Sequence, residues 1–500
     1  MSKKKKKHVF QGALSTILLM LGIVMLLSLV LSLIGFESYE TYISNGVLES
    51  SLVTVNNIFS VDGIKYLFLN SVANFKFFEP LALLVISLIG ISIAEVSGML
   101  DSVFGPLKKI KSSFLTFVVI LAGVSITFFG NYSYVMLFPV VGTLYKKIGR
   151  NPILGILTVF LGITLGYGTG IMFNYDSYIL GALTQNAARV DVDKDYVFSL
   201  VSTEYIMVVS TFIVSFVLAR LIEKRIAPNF KRGTVEVVDS KINYPTLGLF
   251  ILLMLILVYM IIPGLPGSGI LLDNSSVRYI DKLFGVNSPF SNGFICIFSG
   301  IMGFCGLLYG YLNGIRNCSV YSKGISKTFD GLGYLFILMF FISQLEGIIE
   351  WTNLGVVIGS KLIDFISNLQ LSGVFLILIF FIVIVIMSIL IPSTTGKWII
   401  ASPVVVPLFM RSNITPDFTQ FIFQIADSVG KGLTPVYAYF IIMIGFMEKY
   451  INVDDDSVTI IGTLKMTLPI VLIVGLLWIL IISLWFISGM PIGINGFSTL

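Results

Sequence analysis

"SILIPSTTGKWIIASPVVVP", residues 388–407, is the stretch whose reading decides the fold. It starts at the end of an uncharged apolar run from Val374 to Ile391, long enough to cross a bilayer core. The chain then breaks at Pro392 and sets Ser393, Thr394, Thr395, Gly396 and Lys397 between two apolar segments. An unpaired polar group in hydrocarbon costs several kcal/mol, so irregular backbone there survives only when protein buries it or water reaches it. The stretch reads as the tip of a helical hairpin at a binding site.

Composition agrees with a membrane setting. The 500 residues are 56% hydrophobic and 12% charged, where soluble chains carry about 25% charge. Apolar runs recur along the whole chain, and the first, residues 12–36, lacks a small-residue cleavage site and reads as a helix that stays. The chain reads as an all-α polytopic membrane protein. Its net charge of +5 belongs to loops and implies no nucleic-acid partner. Cys296, Cys305 and Cys318 are odd in number and indicate no disulfide framework. His8 is the only histidine and sits beside the lysine run 3–7, which removes zinc-protease chemistry and any histidine proton relay.

Basic residues set the expected topology. Lys3 to Lys7 place the N-terminus in the cytoplasm of a cell-membrane protein. Lys108, Lys109, Lys111, Lys146, Lys147 and Arg150 mark inner flanks. So do Lys224, Arg225, Lys231, Arg232 and Lys241, and after them Arg316, Lys323 and Lys327. Residues 37–79, with five acids and two lysines, lie outside. Nine spans then fall near 12–36, 80–98, 151–173, 198–222, 245–263, 293–315, 331–352, 416–440 and 466–489. Two pairs of shorter segments remain. They read as re-entrant hairpins, one over 114–145 with its tip at Gly130-Asn131-Tyr132, the other over 371–410.

The two hairpins look like copies. "YVMLFPVVGTLY" (134–145) lies over "WIIASPVVVPLF" (398–409). Pro139 and Pro152 are 13 residues apart, as are Pro403 and Pro416; Gly166 and Gly430 each follow 14 residues later. Each glycine opens a Gly-x-Gly, Gly166/Gly168 and Gly430/Gly432, read as helix breaks that free backbone groups for ligands. A repeat entered from opposite sides is the architecture of inverted-repeat secondary transporters. The organisation expected is therefore 1–79 as tail, first span and external segment; 80–222 as repeat 1; 223–330 as a cytoplasmic loop with two linking spans; 331–489 as repeat 2; and 490–500 as a tail.

Ionisable residues inside spans are site candidates by default. Asp176 and Asp427 beside the two breaks stand out, with Glu95, Glu346 and Glu350 weaker because a buried ion pair or a helix end explains them equally well. Lys397 and Lys431 are candidate anion partners, although Lys397 could equally snorkel from its tip. Trp398 is either packing or a platform for a ring-bearing substrate, and Thr394 and Thr395 suit cation or carboxylate contacts. An enzyme reading fails: Ser393 and Lys397 lack an Asp or His partner, and the Gly a phosphate loop needs five positions before Gly396 is Ile391. A channel would use similar hairpins, but buried acids on a repeat favour alternating access.

These residues resemble the AbgT family of p-aminobenzoyl-glutamate transporters and antimetabolite exporters over nearly the whole chain. The likeness is carried by "LIGISIAEVSGML" (88–100), "KKIGRNPILGI" (146–156), "YDSYILGALTQNAA" (175–188), "EWTNLGVVI" (350–358), "GKWIIASPVVVPLFMRSNITPDFTQFIFQIADS" (396–428) and the closing "GMPIGING". It implies a homodimer with nine spans and two hairpins per subunit. It also implies cation-coupled transport of p-aminobenzoyl-glutamate or related aromatic carboxylates, or export of sulfonamide-like drugs by proton antiport. The family's functional positions fall on Asp176, Thr395, Trp398, Pro416 and Asp427. The chain departs where the family has Arg (Gln424), Asp (Asn131), and Asn (Gly170 and Lys431). Losing the Arg removes a bidentate carboxylate clamp. The coupling ion is then a proton on Asp427 or Asp176, or sodium at Asn131, Thr394 and Thr395; no other cofactor is expected. A carrier of other carboxylates, or a sodium/proton exchanger of related fold, is the alternative.

Overall fold

Helix Gly373–Leu390 stops where it does because Ile391 precedes a proline. A residue before proline is pushed out of the α region, and Ile391 is extended (φ −111°, ψ 103°). Ser393 then caps a new helix, Thr394–Arg411, its hydroxyl accepting from the Gly396 amide at 3.0 Å. The first helix leaves backbone carbonyls without helical partners at its end. Two of these are satisfied from elsewhere: Ile389 accepts from Thr434 at 2.9 Å, and Ile391 from the Lys397 ammonium at 2.7 Å. The tip is therefore built by a proline, a cap and two long-range donors.

The computed structural model describes residues 12–230, 244–451 and 458–500. The lysine run 3–7, His8, Lys231, Arg232 and Lys241 lie outside the described residues. Among those described, nine helices are long and apolar enough to cross a membrane. The number matches the sequence expectation, but the membership differs. Ser112–Phe129 and Gly373–Leu390, expected as arms of re-entrant hairpins, are in the set. The expected spans 151–173 and 416–440 are not, because each is broken in two. The first ends as helix Pro152–Leu165 and resumes as Tyr175–Asp191, with Gly168 (φ +92°) and Gly170 (φ +153°) between. The second ends as Pro416–Lys431 and resumes as Ala438–Glu448, past Gly432 and Pro435.

Gly430 corrects one expectation. It lies inside helix Pro416–Lys431 and breaks nothing. Its role is closeness: a Cβ there would sit 2.4 Å from the Ser388 Cβ on the neighbouring hairpin arm. Helix Pro416–Lys431 is buried along its length, from Pro416 and Phe418 through Lys431, and packs against the arm Gly373–Leu390, helices Tyr175–Asp191 and Thr394–Arg411, and the last helix Ile460–Ser488. Small residues do the same for Glu79–Val96 on Pro289–Leu312, where Gly90 meets the Ser299 backbone and Gly306 the Ala94 backbone. Backbones approach this closely between membrane helices only at small residues.

The segment between the first two spans holds a feature not expected from the sequence. Glu37–Ser44 pairs antiparallel with Val47–Thr54 through a two-residue Asn45-Gly46 turn, both residues at positive φ. Asn-Gly is the strongest short hairpin signal. Beyond it, helix Val61–Lys76 leads into Glu79–Val96.

Gly430→Ala is expected to cost about 1–3 kcal/mol by overpacking, read as a lower unfolding midpoint in detergent. Gly300→Ala, where nothing lies within 4 Å of the added Cβ, should leave the midpoint unchanged. Equal midpoints for the two variants would contradict the close approach.

Candidate functional site

Two stripes on two helices build the site. Along Pro416–Lys431, Gln420, Gln424, Asp427 and Lys431 recur at helical spacing and share one face. Along Thr394–Arg411, Thr394, Lys397, Trp398 and Ala401 form the buried face, while Thr395, Gly396 and Ile399 turn to a cavity. The facing stripes meet at Asp427.

Every oxygen of Asp427 is used. Oδ1 accepts from Ser388 at 2.9 Å and lies 2.6 Å from the Lys397 ammonium. Oδ2 accepts from Thr394 at 2.7 Å and lies 3.2 Å from the Lys431 ammonium. Lys431 also donates to the Thr394 hydroxyl at 2.5 Å. All three charged side chains are buried, so each charge depends on its partners. Lys397 does not snorkel from the tip as one reading allowed; it folds back into the protein.

Lys431 continues toward the first break. Its ammonium stands 3.9 Å from the centre of the Tyr167 ring and 5.1 Å from that of Tyr437, in cation–π range. Tyr167 and Lys431 are the middle residues of the two Gly-x-Gly motifs, so the two motifs touch through these side chains. The Tyr167 hydroxyl in turn donates to Asp176. Asp176 packs under the other tip, where a Cβ on Gly130 would lie 3.1 Å from its Oδ2. Asn131 accepts from the Tyr437 hydroxyl at 3.3 Å.

A cavity of about 1050 Å³ opens between the tips. Asn131, Tyr132, Asp176, Thr394, Thr395, Gly396 and Lys431 line it, as do Phe129, Tyr167, Tyr175, Tyr437 and Tyr439. Glu40, Glu79, Glu346 and Glu350 face it as well, giving five acids with Asp176 against one lysine.

Several expected site residues lie elsewhere. Trp398 points away from the cavity: its indole donates to Thr184 at 3.0 Å, and its ring packs 4.4 Å from that of Phe423. It is no platform here, because it shares the buried face with Lys397 and Thr394. Gln424 donates to Ser177 at 3.0 Å, and its Cβ fills the space beside Gly168. Pro416 starts its helix away from the cavity, and Glu95 lies toward Lys449. Gly166, Gly168 and Gly432 shape the breaks without lining the cavity. The residues of the sodium set, Asn131, Thr394 and Thr395, all line the cavity; Asn131 accepts from Tyr437, and the Thr394 hydroxyl is held between Asp427 and Lys431. Sequence reasoning missed Tyr167, Tyr437, Ser388 and Glu79. For Tyr167 the signal was present, since the repeat aligns it with Lys431.

A family model described as "AbgT putative transporter family" matches residues 14–500. The chain belongs to the AbgT family. It is a multi-pass membrane transporter and not an enzyme. It is similar to the p-aminobenzoyl-glutamate transport protein of Escherichia coli (strain K12), with 25% identity over 457 residues, covering 88% of this chain and 86% of that one. Among solved structures, the YdaH transporter of Alcanivorax borkumensis matches at 25% identity and a TM-score of 0.49, over 96% of this chain and 99% of that one. MtrF of Neisseria gonorrhoeae, described with a class of antimetabolite efflux pumps, matches at 23% identity and a TM-score of 0.49, over 96% of each.

A double-mutant cycle tests the AbgT-family site's central ion cluster. Asp427→Asn alone leaves two buried ammonium groups without a counter-ion and should cost about 3–5 kcal/mol. Lys397→Met alone leaves a neutral Asp427–Lys431 pair but takes the donor from the Ile391 carbonyl and one partner from Asp427, and should cost about 1–3 kcal/mol. The double variant should lose less than the sum by about 0.5–3 kcal/mol. Additive losses in detergent unfolding would mean the pair does not interact.

Proposed function

We propose that this AbgT-family chain is a proton-coupled secondary transporter of p-aminobenzoyl-glutamate or a related aromatic carboxylate, bound in the cavity between the two tips. One observation carries the reading: a single cavity joins ring faces to a positive pole. Tyr132, Tyr167, Tyr175 and Tyr437 supply the rings, and aromatic pairs contribute about 0.5–1.5 kcal/mol beyond area burial. Lys431 and the amino end of helix Thr394–Arg411 supply the pole, the helix end equivalent to roughly half a positive charge. The E. coli relative's name points the same way.

The two hairpins are taken as re-entrant halves of an inverted repeat, and this is supported by both tips lining one cavity. Asp176 is the better proton carrier of the two aspartates. It faces the cavity and takes its hydrogen bond from a neutral phenol, whereas Asp427 is already the counter-ion of two lysines. The homodimer belongs to the same proposal. Helix Tyr244–Ile261 is scarcely covered by the rest of the chain, leaving an apolar face for lipid or a second copy.

The acid-rich wall favours a second reading. Glu40, Glu79, Glu346 and Glu350 oppose a dianion and do not oppose a neutral sulfonamide-like ring, so export of such antimetabolites is the runner-up. A sodium/proton exchanger would need no aromatic cargo at all.

Reconstituted vesicles in sodium-free choline buffer separate these readings. A proton gradient should drive labelled p-aminobenzoyl-glutamate, and Asp176→Asn should abolish accumulation while leaving cargo exchange. Lys431→Gln should weaken carboxylate cargo about tenfold more than a neutral sulfonamide, a difference of about 1.4 kcal/mol. Equal loss of both cargoes would make the exporter reading the better one. Proton movement driven by sodium alone, without cargo, would overturn both.

A further inference from the structure

The ammonium groups of Lys397 and Lys431 sit among oxygens: the Ile391 carbonyl, the Thr394 hydroxyl and both oxygens of Asp427. Lys397 lies 2.7 Å from the carbonyl and 2.6 Å from Oδ1. Lys431 lies 2.5 Å from the Thr394 hydroxyl and 3.2 Å from Oδ2. A carbonyl at the end of a helix, a hydroxyl and a carboxylate are oxygen donors, the kind a hard cation takes. Here those donors already face positive charge carried on side chains.

We propose that Lys431 is a tethered cation filling the ion seat of the second hairpin tip, so that this tip takes no free metal ion, and that removing its ammonium opens a monovalent-cation site there. Charge counting supports this. One carboxylate between two ammonium groups already carries a net single positive charge. A metal ion added about 4 Å from either ammonium would meet repulsion of roughly 4 kcal/mol at an effective dielectric of 20. Without Lys431 the remaining pair is neutral. The Thr394 hydroxyl and Oδ2 of Asp427 lose a partner, and the faces of Tyr167 and Tyr437 remain to favour a cation in its place. Lys397 is the less separable of the two, because its ammonium also satisfies the orphan carbonyl of Ile391. The inference rests on the coupled-transport reading only for what it says about flux; the seat itself is tested without any cargo.

The test compares the full chain with Lys431→Asn and Lys431→Gln, whose amides offer an oxygen and carry no charge. Thermal unfolding is followed in sodium chloride and in choline chloride at equal ionic strength. The unaltered protein should unfold at the same temperature in both salts. Each variant should unfold higher in sodium, by a margin that grows with the logarithm of sodium concentration, and should bind radiolabelled sodium above the level of the unaltered protein. Where a variant survives purification only in sodium, that dependence supports the proposal; loss in both salts overturns it. The proposal is also overturned if sodium stabilises the unaltered protein over choline, or if purified variants are indifferent to the choice. Failure of p-aminobenzoyl-glutamate transport would leave this result standing, since no step of the measurement uses cargo.

Discussion

The buried carboxylate of Asp427 is the constraint on which the rest depends. It lies on a helix with almost no contact with solvent, and its charge is tolerable only because two ammonium groups and two hydroxyls reach it. Those four partners come from three elements. Ser388 ends one hairpin arm, Thr394 and Lys397 begin the other, and Lys431 lies one turn along the aspartate's own helix. Satisfying one charge therefore positions the tip. Moving any of the three elements would expose a buried ion, and that cost outweighs what a few apolar contacts could offset.

Lys431 carries that cluster toward the first half of the chain, beside the Gln424–Ser177 and Trp398–Thr184 hydrogen bonds. Lys431 lies across Tyr167, Tyr167 holds Asp176, and Asp176 packs beneath Gly130 of the first tip. The two tips thus face one cavity through a continuous polar and aromatic contact. A change of charge at Asp176 would be felt at Lys431 both directly and through Tyr167, whose hydroxyl holds one and whose ring faces the other.

Much of this was legible in the sequence, and the parts that were not have physical causes. The break at Pro392, the hydroxyl-rich tip and the second break near Gly432 follow from backbone chemistry, which is local. The fate of Trp398 is not local in type but is local in period. It lies four residues on from Thr394 and beside Lys397, itself three on from Thr394, so when that face turns inward the indole goes with it. Gly430 was misread because a glycine in a helix signals either a break or a close neighbour, and only the packing of Ser388 against it decides. Glu79 and Tyr437 lie far in sequence from either tip, and no pattern in the chain joins them to the cavity. The Asn45-Gly46 hairpin was readable and was overlooked amid the stronger apolar signal of the spans.

The central claim is that cargo binds between the tips with its ring against the tyrosines. It is tested most directly by photo-labelling the reconstituted protein with p-azidobenzoyl-glutamate and mapping the modified peptides. The account predicts adducts on the segments around Tyr132 and Tyr437, both lining the cavity, and their loss when unlabelled p-aminobenzoyl-glutamate competes. Competable adducts at Trp398, or on helices outside the cavity, would contradict it.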